Sequence, residues 1–135
     1  MIQMLNGIEG INAEGKNVKF EMHSLQVNSG EQFIQSEFNT ESTTQQIVGV
    51  AITSDDNDAL DASTIELRIG SSPIFPRNFE CKMLRAGMEV APNHRFFIFN
   101  KAENVDRAQV QIRYTDGGEF VEPYRVNLYL MGFER

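Results

Sequence analysis

The chain has 135 residues, a formal net charge of −7, 41% hydrophobic side chains, ten Phe, no Trp and one Cys. A single domain of this length buries roughly two thirds of its unfolded surface, so its core needs no disulfide or metal to support it. The lone Cys81 excludes an internal disulfide framework. The acidic balance argues against a phosphate-tracking groove, so no nucleic-acid partner is expected.

Charge is unevenly distributed along the chain. Residues 1–67 carry eleven acids and two bases, a net −9, and residues 68–135 carry eight acids and ten bases, a net +2. Either one surface is acidic, or two sides of opposite sign meet in a head-to-tail ring of identical subunits. The first residues lack a basic n-region and an apolar run of signal length, so no secretory signal is expected. No later run approaches the about eighteen apolar residues of a membrane span, and no direct membrane insertion is expected.

Residues 1–16 read as an N-terminal arm, and residues 17–135 as one β-sandwich domain. Ile2, Leu5, Ile8 and Ile11 recur every three residues, but Gly7, Gly10 and Gly15 weaken any helix. Such apolar residues prefer a neighbouring subunit to water. In the next run Val18, Phe20 and Met22 hold one strand phase and Leu25 and Val27 the other, which predicts a bulge or bend between them. Residues 31–38 are ambiguous, and residues 39–46 read as loop or edge. The apolar run IVGVAI, residues 47–52, reads as a strand covered on both faces, with Gly49 permitting close backbone approach.

A loop with Asp55, Asp56, Asp58 and Asp61 follows, and then Ile65, Leu67 and Ile69 alternate with Glu66 and Arg68. Residues 70–78 hold Pro73 and Pro76 and cannot lie inside a central strand. Phe79, Cys81 and Met83 alternate as a further strand. Residues 95–99, RFFIF, form another, and residues 101–107 a polar connection. In the last third, Val110, Ile112 and Tyr114 share one face, as do Tyr124, Val126, Leu128 and Leu130. Pro123 makes residues 115–123 a longer loop rather than a tight hairpin. About eight strands with no helices between them predict an all-β fold: an antiparallel β-sandwich of jelly-roll type. An immunoglobulin-like sandwich lacks its Cys and Trp signals here.

Candidate chemistry is sparse. The Asp55–Asp61 loop is the one plausible cation site, since calcium takes several oxygens, but its spacing fails an EF-hand and a solvated acidic loop is expected. His23 and His94 stand in no zinc-ligand pattern. Cys81 shares phase with Phe79 and Met83 and reads as an inert core thiol. No nucleophile elbow or phosphate-cradling glycine loop is present. Tyr114, Tyr124 and Tyr129 are the candidates for a sugar platform; the first two share phase with core residues, and Tyr129 sits in the more polar phase. No catalytic, cofactor-binding or metal residue is assigned, and the protein is not expected to be an enzyme.

In order, residues 46–135 present an IVGVAI strand, the loop DDNDALD, a TIELRI strand, a PIFP turn, the segment VAPNHRFFIF and a closing VNLYLMGF strand. This order resembles the small single jelly-roll penton proteins at the five-fold vertices of membrane-containing icosahedral phages. In that group a GV-containing strand also leads through a short polar loop to an acidic alternating strand, and an apolar strand ending in an aromatic closes the chain. The likeness covers about two thirds of the chain and carries over no functional residues. It implies a structural protein of the virion that forms a symmetric homo-oligomer and contacts other virion structural proteins. A carbohydrate- or ligand-binding module on the same sandwich is the alternative.

Overall fold

Alternation decides which side chains form the core. Val110, Ile112 and Tyr114 in one strand, and Tyr124, Val126, Leu128 and Leu130 in another, are all buried, as their common phase requires. The computed structural model describes residues 17–28, 32–84, 96–118 and 123–134. The proposed arm, residues 1–16, and His94 lie outside them. Among the described residues the strands are β1 (Val18–Val27), β2 (Phe33–Asn39), β3 (Thr44–Ser54), β4 (Thr64–Ile69), β5 (Ser72–Glu80), β6 (Phe97–Asn104), β7 (Gln109–Thr115) and β8 (Tyr124–Glu134). A short helix, α1 (Asn57–Asp61), joins β3 to β4, and a 3-10 turn, Cys81–Met83, follows β5.

The strands form two four-stranded antiparallel sheets, ordered β1-β8-β3-β6 and β2-β7-β4-β5. This interleaving is that of a jelly roll, and the protein is an all-β sandwich of that type. Although β7 and β8 are consecutive, they lie in different sheets and face each other across the core. The order also alternates strands from the first and second halves of the chain in both sheets. The −9 and +2 halves therefore do not divide the sandwich by sheet.

Several expectations change. The phase switch in β1 is not a bulge, because its ten residues pair with β8 in unbroken register from Val18↔Phe133 to Val27↔Tyr124. Leu25 and Val27 point inward while Phe20 and Met22 point out. The inward phase at that end is held by Glu21, which accepts hydrogen bonds from Glu41 N (3.0 Å) and Thr44 Oγ1 (3.0 Å) and so ties down the turn before β3. Residues 39–46 are loop only in part, since β3 starts at Thr44.

The acidic loop contains α1, because Asp56 caps it by accepting from Ala59 N (3.1 Å) while Ala59 and Leu60 bury their side chains. The proline-bearing segment is itself a strand, β5. It is an edge strand, where a missing N–H costs no ladder bond. The strand expected through Cys81 and Met83 is instead the 3-10 turn, with Leu84 N donating to Cys81 O (2.9 Å). Finally, β6 runs on to Asn104, past the polar connection expected from residue 101.

The run of residues 47–52 is buried on both faces. A register shift between Ile47 and Gly49 turns Ile47, Val50 and Ile52 into the main core and Val48 outward. At Gly49 an added Cβ would lie 2.9 Å from Phe97 O, so the approach of β6 requires glycine there.

Candidate functional site

With the inward phases filled, the described strands present two outer faces to their surroundings. On the β1-β8-β3-β6 sheet the register aligns Phe20, Met131, Gly49 and Ile98 in one row, and Met22, Tyr129 and Ala51 in the next. The rows that flank these are polar at least in part. Ser24 Oγ donates to Asn127 Oδ1 (2.7 Å), beside Thr53, with Gln26 and Arg125 next to them. At the other end Gln46 Nε2 donates to Asn104 Oδ1 (3.0 Å), beside Val18 and Phe133. Phe20 is 51% exposed and Met22 59%.

This face already carries a second apolar cluster. Val48, Ala102, Met131 and Phe133 are buried on it, with Val18, Phe96 and Ile98 packed against them. β1 and β6 are opposite edges of the sheet, yet the Phe96 ring lies 5.6 Å from Phe20, so the two rings meet above the strands between them. Burying the remaining exposed half of Phe20 and of Met22 is worth roughly 1 kcal/mol each.

The outer face of the β2-β7-β4-β5 sheet is polar. Gln35, Glu37, Glu66, Arg68, Gln109, Gln111 and Arg113 occupy it. Gln109 Nε2 donates to Glu37 Oε2 (2.9 Å), Gln111 Nε2 to Gln109 Oε1 (3.1 Å), and Arg113 Nη1 lies 3.4 Å from Glu66 Oε2. At one end is a depression of about 340 Å³ lined by Phe33, Thr64, Ile65, Glu66, Arg77, Asn78, Arg113 and Thr115. It owes its shape to β5. Ile65 pairs with Phe79 but Leu67 with Phe75, so residues 76–78 bulge opposite Glu66, with Asn78 at φ 65°.

Between the sheets runs a polar chain. The Tyr114 and Tyr124 hydroxyls are 2.8 Å apart, and Tyr124 donates to Asp116 Oδ1. Asp116 Oδ2 accepts from Gly118 N (2.6 Å), and Ser63 Oγ accepts from Gly117 N (3.1 Å) while donating to Ala59 O (2.7 Å). Burial pushes the Tyr114 hydroxyl up to about 12 and that of Tyr124 higher still, where the Asp116 acceptor adds to it. Both phenols therefore stay neutral donors. The chain ties the β7–β8 connection to α1.

The residues singled out in the sequence do not converge on one site. Tyr114 and Tyr124 are core residues. Tyr129 is half-buried on the apolar outer face, beside Met22 and Ala51, rather than on a polar one. Asp55 accepts from Arg125 N (2.9 Å), and Asp56 caps α1. Among the described residues no group of three or more His, Cys, Asp or Glu is placed to hold a metal ion. Burial, with Asp61 nearby, pushes the Cys81 thiol up to about 12. His23 stacks on Phe38, with ring centroids 4.3 Å apart, and its Nε2 lies 2.8 Å from Ser36 Oγ.

Alternation pointed to neither Phe20 and Met22 as an outward pair nor Arg77 as a groove residue. The available signals were the phase break after Met22 and the Pro76–Asn78 interruption of strand character. Among the described residues no helix is long and apolar enough to cross a membrane. No family of known proteins matches the chain, and no curated protein does. Among solved structures it is similar to a chain of the cyanophage Pam1 capsid asymmetric unit, with 15% identity and a TM-score of 0.47 over 92% of this chain and 89% of that one.

Proposed function

We propose that the protein is a non-enzymatic structural subunit: a jelly roll that assembles as a symmetric homo-oligomer in a virion or phage particle, as a penton or similar capsid or tail component. The observation that carries this reading is the apolar outer face of the β1-β8-β3-β6 sheet, where Phe20 and Met22 remain half exposed beside a buried apolar cluster. Contiguous apolar surface of this kind marks an association site, because covering it releases water at no cost in unpaired charge. The resemblance of residues 46–135 to penton proteins supports the virion setting. In this reading residues 1–16 are an arm that contacts neighbours or underlying virion proteins, and neither nucleic acid nor membrane insertion is involved.

Native mass spectrometry and light scattering of the purified chain at micromolar concentration test the assembly. The expected result is a single oligomer, which dissociates in the Phe20→Ser, Met22→Ser double variant while the melting temperature is kept. A wild-type monomer, with or without residues 1–16, would overturn the reading.

A further inference from the structure

We propose that the depression on the outer face of the β2-β7-β4-β5 sheet binds a carboxylate-bearing saccharide, with Arg77 and Arg113 taking the carboxylate and Phe33 stacking on the sugar ring. This site is on the sheet opposite the apolar face and does not depend on the assembly reading.

Charge comes first. Two guanidinium groups and one carboxylate, Glu66, line the depression, a local +1 in a chain of net −7. Arg113 uses only a long 3.4 Å contact to Glu66, and Arg77 has no ion pair or hydrogen bond among the described residues. Guanidinium presents five donors in a planar fork, so most of this donor capacity faces open space. A carboxylate is the planar acceptor that fits such a fork.

The backbone is shaped to the same end. The two-residue slip between β4 and β5 lifts residues 76–78 out of the ladder, and Asn78 sits in the left-handed region. Bulges of this kind re-aim a side chain, and here the residue re-aimed is Arg77. Across the depression Phe33, on edge strand β2, is 56% exposed. Its register partner is Thr115, and Thr115 pairs in turn with Thr64. An exposed ring facing a row of hydroxyls and the Asn78 amide suits a ligand with one apolar face and many hydroxyl groups. A purely acidic peptide would satisfy the arginines but leave the ring and the threonines without complementary groups.

Isothermal titration and saturation-transfer NMR on the full chain, with D-glucuronate, D-glucose and glutarate as probes, test the site. Glucuronate is expected to bind at millimolar concentration, with its ring protons saturated from Phe33. Glucose, which lacks the carboxylate, should bind about tenfold more weakly, the loss expected of one charge-assisted contact. Arg77→Ala and Arg113→Ala should each lose about tenfold at an unchanged melting temperature, while Arg77→Lys recovers part of the affinity. Glutarate binding as tightly as glucuronate would overturn the saccharide assignment in favour of an acidic peptide. Absence of glucuronate binding, or equal binding by Arg77→Ala, would overturn the site and leave Arg77 as a charge that keeps the β5 edge from pairing.

Discussion

The two outer faces of this sandwich rest on the same inward chemistry and share almost nothing else. The central strand β8 turns Tyr129, Met131 and Phe133 outward, whereas its counterpart β7 turns out Gln109, Gln111 and Arg113. Burying the first face in a partner gains free energy from water release alone. Burying the second strips water from charges and amides, and that cost is recovered only if a ligand replaces each hydrogen bond. One face is suited to broad association and the other to a small polar ligand. The inward phase sets the fold, and the outward phase is free to carry function.

The sharpest way to break this comparison uses adjacent residues on opposite faces of β8. Leu128 is 1% exposed and Tyr129 half-buried on the outside. Leu128→Asp is expected to unfold the protein, since an unpaired buried charge costs more than about 4 kcal/mol, a large part of a domain's stability. Tyr129→Asp should keep the circular dichroism spectrum and most of the melting temperature while weakening association. If Leu128→Asp left the melting temperature untouched, the inward phase would be wrongly placed.

Next in size is the contrast between the faces themselves. Phe20→Ser with Met22→Ser should weaken self-association by at least about tenfold, from the apolar area no longer buried. Glu37→Ser with Gln111→Ser on the opposite face should leave sedimentation unchanged. Equal effects from the two pairs would erase the distinction between them.

A smaller effect is expected between the sheets. Tyr124→Phe removes the hydroxyl that donates to Asp116 and should cost about 1–3 kcal/mol in denaturant unfolding. Because the change lies inside, neither association nor saccharide binding should move.

The smallest expected effect is in pH dependence. Burial against Phe38 holds His23 below its ordinary value of 6.5, so the folded state binds fewer protons there than the unfolded chain. Its contribution to stability is present above pH 6.5 and is lost as pH falls from there through the folded value. Wild type should therefore lose more melting temperature between pH 7.5 and pH 5.5 than His23→Gln. A larger loss in the variant would contradict this sign.

Much of the fold was legible because inward-facing residues repeat every second position. Ile65, Leu67 and Ile69, and the alternating residues of β7 and β8, are buried as their spacing predicts. The candidate surfaces were less legible, because an outward residue bears no periodic signature of its own. In the sequence Phe20 and Met22 share a strand phase with Val18 that does not say which way it faces, and Arg77 lies just after Pro76 in a segment broken by two prolines. A five-residue helix such as α1 has too few turns to announce itself, and it forms only where Asp56 caps it and Leu60 finds the core.

Local alternation, turn residues and the absence of helical spacing determined an all-β sandwich, most of its strands and the inward faces of β4, β7 and β8. Tertiary pairing alone decided sheet membership, the outward turn of Phe20 and Met22, and the depression beside Arg77. The physical reason is register. Side chains alternate with a period of two, so the pairing of β1 with β8 sets which of its mixed phases is buried, and the slip between β4 and β5 sets where Arg77 points. The first depends on a partner about a hundred residues away, and the second on how a neighbouring strand registers across its hairpin; alternation within either strand alone encodes neither.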